Sequence, residues 1–373
     1  MIKNNRTKNE IKWRNFMMKN NKKQEIPVFF ATDDNYVPYL VVSIRSLIDN
    51  CSSNNKYSIY VLNTGLTEQN KKALKDMEIS NVTISFVDLT EKIKDIYSKL
   101  EAQLRDYYSP SIYYRLFIPT MFPHYKKALY LDCDITILDD VANLYNHELK
   151  NNLVGAIVDE VVTSNEVFRY YVSNALGVNE YKYFNSGILV MNLDEFRKER
   201  FEEKFIYLLN NYNFGTVAPD QDYLNVLCKG RILYIDKCWN KMPVSNEGFD
   251  EKNLKLVHYN MFQKPWKYEG ILYEKYFWET AKKTSYYDFF KQTLANFDDA
   301  KKLKDQQAGE KLLAYAKNIA DDPNNFRNTL NGECMCLAEK QNIQMKAIEE
   351  ICVLEDFLKF IFADDEPIGS ECC

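Results

Sequence analysis

Residues 129–138 read LYLDCDITIL, an apolar run typical of a buried strand, interrupted by Asp132 and Asp134. Buried carboxylates are costly unless their charge is compensated. In an extended strand alternate side chains point to the same side, so both acids should face one way and Cys133 the other. Carboxylates this close repel each other unless a proton or cation lies between them, and Mg2+ and Mn2+ favour oxygen donors. The pair is a candidate metal site; capping of the next turn is the structural alternative.

The segments before this run alternate between strand and helix patterns. Pro27–Ala31 is a short apolar strand, and Tyr39–Asn50 has the apolar spacing of a helix. Strand, helix and strand patterns follow in YSIYVLNTG, TEQNKKALKDM and NVTISFVDL. This order predicts an α/β fold with a largely parallel sheet and helices on its faces. Because ligands of such sheets bind at the carboxyl ends of strands, the two acids should lie in the ligand crevice.

The length of the chain indicates one large domain with additional parts. Its 373 residues exceed the roughly 150 residues expected of one domain. Beyond about residue 286 no strand-like run remains, while EKLLAYAKNIADD and MKAIEEICVLEDFLKFIFADD have helical apolar spacing. We therefore predict a basic N-terminal arm at 1–25, a catalytic α/β domain at 26–285 and a helical C-terminal extension at 286–373.

Composition excludes several classes of protein. A net charge of -5 argues against a nucleic-acid partner. The sequence has no apolar run of about 18 residues and no secretory h-region, so we expect neither a transmembrane helix nor a signal peptide. The nine cysteines are irregularly spaced, which favours free thiols in a cytoplasmic protein.

The basic arm is interpreted as a solvated tail, with weak peripheral attraction to the inner face of an anionic membrane as the alternative. The sequence leaves the oligomeric state open.

Missing motifs narrow the chemistry, and a second constellation supports the acid pair. The sequence contains no GxGxxG, no GxxxxGK[ST] and no HExxH, which disfavours a dinucleotide site, a P-loop and a zinc protease. Near the end of the domain, LVHYNMFQKPW contains His258 and Lys264. A neutral imidazole is a good Mn2+ ligand, and a lysine can neutralise phosphate oxygens. A surface or hydrogen-bonded core histidine is the alternative interpretation.

Six motifs in order resemble retaining glycosyltransferase family 8, which includes bacterial lipopolysaccharide galactosyl- and glucosyltransferases and glycogenin-like enzymes. They are VFFATDDNYVPYLVVSIRSL, YYRLFIP, ALYLDCDITIL, YFNSGILVMNLDEFR, PDQDYLN and HYNMFQKPW, and they are spread over most of residues 27–266. The resemblance implies a GT-A type nucleotide-diphospho-sugar transferase fold, with a mostly parallel mixed sheet and helices on both faces.

The resemblance also implies a role for each matched polar residue. Tyr36 would stack on uracil, Asp33 would accept its imide N–H, and the backbone at Cys133 would reach the ribose. The metal, Mn2+ or Mg2+, would be bound by Asp132, Asp134 and His258. The UDP-sugar would be contacted by Ala31, Asp33, Asn35, Tyr36, Arg115, Cys133, Asn185, Ser186 and Lys264. The residues nearest the reacting sugar and the acceptor would be Asp159, Asp220 and Gln221.

These implied roles describe a retaining hexosyltransferase that uses UDP-glucose or UDP-galactose and a glycan or lipid-linked acceptor of the cell envelope. The metal would assist departure of UDP as a Lewis acid, and Lys264 would add a fixed cation. The amide of Gln221 is a poor nucleophile, so a front-face substitution is favoured over a double displacement through Asp220 or Asp159.

Two matched positions depart from the family pattern, and one of them is Ser186, which replaces a frequent alanine. Met261 stands where the family has a glycine that lets the backbone approach phosphate. A catalytically silent nucleotide-sugar-binding protein is therefore the main alternative. A metal-dependent phosphatase or nucleotidyltransferase that uses the same acid pair is the third hypothesis.

Overall fold

A twisted seven-stranded sheet forms the centre of the molecule in the computed structural model, which describes residues 23–102, 109–245 and 247–330. Nearly all of the predicted N-terminal arm, and the second helical run of the extension, lie outside these residues. The predicted domain boundaries at residues 25 and 285 stay predictions.

The strands form two sheets. The large one has the order β3-β2-β1-β4-β7-β6-β8, and β7 alone among its described strands runs opposite to the others. In the small one β5 and β9 pair antiparallel. The predicted mostly parallel mixed sheet is confirmed. The strands are β1 (Gln24–Ala31), β2 (Asn55–Asn63), β3 (Val82–Asp88), β4 (Lys127–Leu131), β5 (Ile135–Ile137), β6 (Val154–Val158), β7 (Phe184–Asn192), β8 (Ile232–Tyr234) and β9 (Leu256–His258).

Helices connect the strands and cover the sheet. Short 3-10 segments at Asp34–Tyr36, Pro110–Phe117, Lys237–Trp239 and Glu251–Asn253, and a π-helical turn at Val172–Leu176, lie between them. The α-helices are α1 (Val37–Asn50), α2 (Glu68–Lys75), α3 (Thr90–Ile93), α4 (Tyr97–Ala102), α5 (Ile118–Met121), α6 (Val141–Tyr145), α7 (Glu160–Ser164), α8 (Glu166–Tyr171), α9 (Leu193–Lys198), α10 (Phe201–Asn211), α11 (Pro219–Leu227), α12 (Glu274–Ala281), α13 (Tyr287–Ala295) and α14 (Asp299–Asp321).

The core occupies both faces of the large sheet. Side chains alternate along β1, so Val28 and Phe30 pack with Ile44 of α1, while Phe29 packs in the cluster that contains Phe117 and Phe205. All six are fully buried. Burial on both faces explains why the strands are continuous apolar runs, as expected for a mostly parallel sheet.

The stretch LYLDCDITIL is not one strand, as the sequence suggested, but two. β4 ends at Leu131, and β5 begins at Ile135 and leaves for the small sheet, where it pairs with β9. Asp132 and Asp134 therefore lie in the connection between two sheets. The acids are not placed inside a buried ladder, and their side chains keep 25% and 12% exposure.

A third apolar cluster joins the small sheet to the helices that follow it. Trp266, Phe277 of α12 and Phe290 of α13 are buried together, with ring centroids of Trp266 and Phe277 4.9 Å apart. No helix among the described residues combines the length and apolarity needed to span a bilayer.

Candidate active site

The polar site lies where several strands end at the same edge of the sheet. β1, β4 and β6 all point their carboxyl ends at this edge, and β7 starts there because it runs antiparallel to β4. The crevice outside these ends is a cavity of about 850 Å³. This is the position at which open α/β sheets bind ligands. All fifteen residues predicted for the site line this cavity.

Asp132, Asp134 and His258 come together at the floor of the cavity. His258 Nε2 lies 3.2 Å from Asp134 Oδ1 and 3.7 Å from Asp132 Oδ2, and the possible ligand atoms lie within 4.8 Å of one another. The register of the small sheet produces this meeting, because Ile135 pairs directly with His258. Two carboxylates and one imidazole suit a divalent ion such as Mn2+.

Gly187 leaves the space beside these three side chains open. A Cβ at this position would lie 2.5 Å from Asp132 Oδ2 and 2.5 Å from His258 Cε1. Any other residue would therefore push apart two of the three predicted ligands. The donor set and this space together fit a bound metal ion.

Two buried cations compensate the acids of the cavity floor. Lys264 Nζ lies 2.5 Å from Asp134 Oδ2, and Arg115 Nη2 lies 3.0 Å from Asp132 Oδ1. Burial alone would raise the pKa of Asp134, but Lys264 and His258 outweigh it and hold that pKa well below its usual range. This carboxylate is therefore ionised and ready to bind a cation at neutral pH.

Asp220 lies behind Arg115 at the start of α11. Its carboxylate is 3.2 Å from Arg115 Nε and accepts the Ser186 hydroxyl at 2.8 Å. Burial raises the pKa of Asp220, and Arg115 opposes that shift. The same arginine donates to the Ser186 carbonyl. Arg115 thus joins Asp132 to Asp220 and Ser186.

We call the residues predicted to lie around the reacting sugar, Asp159, Asn185, Ser186, Asp220 and Gln221, the sugar side of the cavity. Side-chain amides link several of them. Gln221 Oε1 accepts the Ser186 backbone N–H at 2.9 Å and the Asn185 side-chain amide at 3.1 Å. Gln221 Nε2 and Asn185 Nδ2 both donate to Asp159 Oδ2, at 3.1 and 3.0 Å. Asp159 also caps α7 by accepting the N–H groups of Val161 and Val162. Each predicted catalytic oxygen of this group already accepts hydrogen bonds.

Asn240 is a buried polar residue of the site that the sequence reasoning missed. The Gly187 backbone N–H donates to Asn185 Oδ1 at 2.9 Å, which identifies that atom as oxygen. Asn240 Nδ2 must then donate to the same oxygen, at 3.0 Å, and Asn240 Oδ1 faces His258 Nδ1 at 3.0 Å. Nδ1 of His258 therefore carries a proton, and in a neutral imidazole Nε2 would be the nitrogen that binds a cation placed between the acids.

No motif marks Asn240, which follows the 3-10 turn Lys237–Trp239. The sequence offers only a weak signal for a role in the site, namely a polar residue next to Trp239. Such a residue could equally well serve only to end a turn. Its role depends on Asn185 and His258, which are distant in sequence.

The turn at residues 32–36, which the resemblance predicts to contact the nucleotide, lies beside the acid pair. Asp33 Oδ1 accepts the N–H groups of Asn35 and Tyr36 at 3.0 and 3.1 Å. The Tyr36 hydroxyl is 3.5 Å from Asp134 Oδ2. Cys133 is buried with its Sγ 3.2 Å from the Ala31 carbonyl, and its own carbonyl accepts the Ser43 hydroxyl. The turn is thus held rigid against the acid pair.

Met261 retains the backbone conformation that glycine favours. Its φ is 56°, in the left-handed region, and its side chain packs on the core cluster beside the cavity. The loop therefore has a backbone conformation that a glycine at this position would also permit.

Asp222 anchors the segment that carries Asp220 and Gln221. Its fully buried carboxylate accepts the hydroxyls of Tyr171 and Tyr183 at 2.8 and 2.6 Å, and the N–H groups of Val217 and Ala218. Burial raises its pKa to about 7, although these four donors oppose that shift.

The outer wall of the cavity comes from α14, where sequence analysis identified no motif. The residues of this helix that line the cavity are Lys304, Gln307, Ala308, Lys311 and Leu312. Counted from Lys304 as position i, they fall at i, i+3, i+4, i+7 and i+8, as expected for one face of a helix.

Solved structures with the same fold are glycosyltransferases. The galactosyltransferase LgtC in complex with donor and acceptor sugar analogues matches 70% of this chain and 96% of its own, with a TM-score of 0.55 and 24% identity. The bifunctional glycosyltransferase WbbM matches 74% of this chain and 52% of its own, with a TM-score of 0.63 and 24% identity. The fold is of the GT-A type.

A family model and named relatives show that the protein is a glycosyltransferase. The family model described as glycosyl transferase family 8 matches residues 27–270, and the chain belongs to this family. General stress protein A of Bacillus subtilis is 27% identical over 63% of this chain and 85% of its own. A lipopolysaccharide 1,2-glucosyltransferase of Escherichia coli is 26% identical over 67% of this chain and 75% of its own.

Proposed function

We propose that this family 8 glycosyltransferase is a retaining enzyme that transfers glucose or galactose from a UDP-sugar to a glycan or lipid-linked acceptor, with Mn2+ or Mg2+ as cofactor. One observation carries the proposal, namely the convergence of Asp132, Asp134 and His258 on the space beside Gly187. The names of LgtC and of the Escherichia coli relative, which concern those proteins, support the choice of hexose. A cytoplasmic location belongs to the same proposal.

The residues of the chain would bind and stabilise the leaving diphosphate. A bound divalent ion would supply Lewis-acid stabilisation of the developing phosphate charge. Lys264 and Arg115 stand at the same edge with their cationic groups held by Asp134 and Asp132. Preorganised cations of this kind stabilise developing charge without further reorganisation. No general acid is then needed for departure of UDP.

Retention is best explained by substitution on one face of the sugar. The predicted candidates for a nucleophile are all engaged, since Gln221 Oε1 accepts two donors, Asp159 caps α7, and Asp220 pairs with Arg115. The bond from the anomeric carbon to the phosphate oxygen would break as the acceptor oxygen bonds to the same face. The acceptor hydroxyl would give its proton to the departing phosphate oxygen, which balances the reaction.

The test is the release of UDP from UDP-glucose and UDP-galactose with Mn2+, with and without acceptor. UDP release that Asp134→Asn abolishes supports the proposal. Binding of the UDP-sugar without any release would favour the silent alternative, and release of inorganic phosphate or pyrophosphate would favour a phosphatase or nucleotidyltransferase. A product with inverted anomeric configuration would contradict the front-face mechanism.

A further inference from the structure

The helix α14 closes the outer side of the cavity although it lies beyond the matched family region. The family model ends at residue 270, whereas α14 spans Asp299–Asp321. Its cavity-lining residues include Lys304 and Lys311, which are both exposed. We call the part of the cavity that contains Arg115, Asp132, Asp134, His258 and Lys264 the donor end, because these residues are predicted to bind the metal and the UDP-sugar. The donor end and this outer wall thus come from different parts of the chain.

Contacts on both sides hold α14 in place across the cavity. Toward the loop after β9, Asp305 lies 3.1 Å from Lys267 Nζ and 3.3 Å from the Tyr268 hydroxyl. Toward the other wall, α14 packs on α8, and the Tyr170 hydroxyl donates to Asp321 at 2.8 Å. The helix therefore joins the wall that carries Lys264 to the wall that carries Asp159.

Charge pairing separates the lysines of the cavity into two groups. Lys264 is paired with Asp134, and Lys267 with Asp305. For Lys304 and Lys311, no carboxylate of residues 23–102, 109–245 or 247–330 lies within ion-pair distance. Seven residues separate the two, or about 10 Å along the helix axis, so they lie on one face.

The lining between these lysines and the sugar side is apolar. Leu312 is buried in the same core cluster as Phe168, and Val161 and Val162 pack against that cluster. Ala308 is also buried. All five line the cavity. Apolar surface of this kind suits the carbon face of a sugar ring or a lipid chain, and the lysines suit an anion beside it.

We propose, on the basis of the proposed function, that the acceptor is an anionic glycoconjugate whose phosphate or carboxylate group is bound by Lys304 and Lys311. The helix α14 is then the element that selects the acceptor. A phosphate that links a sugar to a lipid and a carboxylate on an acidic sugar have the chemistry required, and they are the two sources to be distinguished.

The test is equilibrium binding of three probes to the full chain with Mn2+ and UDP present. The probes are an octyl hexoside, the matching octyl hexuronide, and an octyl diphosphate ester of the same hexose. We expect at least one charged probe to bind about tenfold more tightly than the neutral one, as two exposed charge-assisted contacts allow. Preference for the hexuronide indicates an acidic sugar, and preference for the diphosphate indicates a lipid carrier.

Matched variants assign that preference to the two lysines. Lys304→Gln with Lys311→Gln should remove it, while Lys302→Gln with Lys317→Gln, on the same helix but outside the cavity lining, should retain it. Equal binding of all three probes, no binding of the charged probes, or the same loss in both double variants overturns the proposal. Failure of the wild-type protein to bind UDP with Mn2+ would count against the proposed function and is read in the same titration.

Discussion

The donor end of the cavity and its outer end, which α14 forms, differ in whether their cationic side chains are paired with carboxylates. At the donor end, Arg115 pairs with Asp132 and Asp220, and Lys264 pairs with Asp134. At the outer end, Lys304 and Lys311 have no carboxylate partner among the described residues. The proposed site for a metal and a diphosphate would concentrate so much charge that its own charged groups must be paired before the ligands bind. The outer end lacks this density, and its cations remain available.

The largest difference between the two ends is expected when a glycine at each end is replaced by alanine. Gly187→Ala places a Cβ 2.5 Å from Asp132 Oδ2 and should lower Mn2+ affinity and UDP release roughly 100-fold or more, because the ligands are forced apart. Gly309→Ala on α14 places its Cβ 3.7 Å from Phe262. Its Mn2+ affinity and its rate of UDP release should stay within about twofold of the wild-type values. Equal effects of the two variants, with folding checked by circular dichroism, would remove the distinction between the ends.

A smaller effect is expected at Asn240. Asn240→Ala should lower Mn2+ affinity by about 10- to 100-fold, because His258 loses the partner that keeps its proton on Nδ1. Asn240→Asp retains an acceptor for that proton and should lose less. Isothermal titration with Mn2+ measures both, and nitrogen NMR of the imidazole in the metal-free protein reports the tautomer. An Nε2–H tautomer in the wild-type protein would contradict this role.

Much of the donor end could be predicted from sequence because its residues lie in short motifs at the ends of strands. Asp132 and Asp134 are adjacent to a strand, and His258 ends one. The split of LYLDCDITIL could not be predicted, since β5 leaves the large sheet only because β9 offers it a partner far along the chain. The same holds for Asn240, whose partners are set by tertiary contacts.

The outer end could not be predicted at all beyond its helical character. The apolar spacing indicated a helix in EKLLAYAKNIADD, and α14 contains it. Nothing in that pattern tells which face meets the cavity, because Lys304 and Lys311 look like ordinary solvated lysines until α8 and the loop after β9 position the helix.

The buried Asp222, which lies behind the donor end, should make the stability of the folded protein depend on pH. Its pKa is raised from 3.8 to about 7 in the folded protein, so between about pH 4 and pH 7 the folded state retains a proton that the unfolded state has lost. Stability should therefore fall as pH rises through this range, by roughly a few kcal/mol from this group. Asp222→Asn should flatten that part of the profile in urea denaturation at pH 5 and pH 8. An unchanged slope would contradict the raised pKa.

The smallest effect is expected at Met261, between the two ends. The left-handed φ of 56° costs an L-residue about 1 kcal/mol, which Met261→Gly removes at the expense of side-chain packing. Since the backbone already has the shape that glycine favours, UDP release should stay within about twofold. Met261→Ala, which retains the strain, is the control. A tenfold gain with glycine alone would indicate that Met261 impairs the enzyme, as the silent alternative requires.

The most direct test of the central claim is Mn2+ binding followed by electron paramagnetic resonance. We expect one Mn2+ per wild-type chain, no site in Asp134→Asn, and an intact site in Asp139→Asn, which changes a nearby acid, directly after residues 129–138, that pairs with Lys255 instead. A site that persists in Asp134→Asn, or that is equally weakened in Asp139→Asn, would contradict the claim that Asp132, Asp134 and His258 hold one divalent ion.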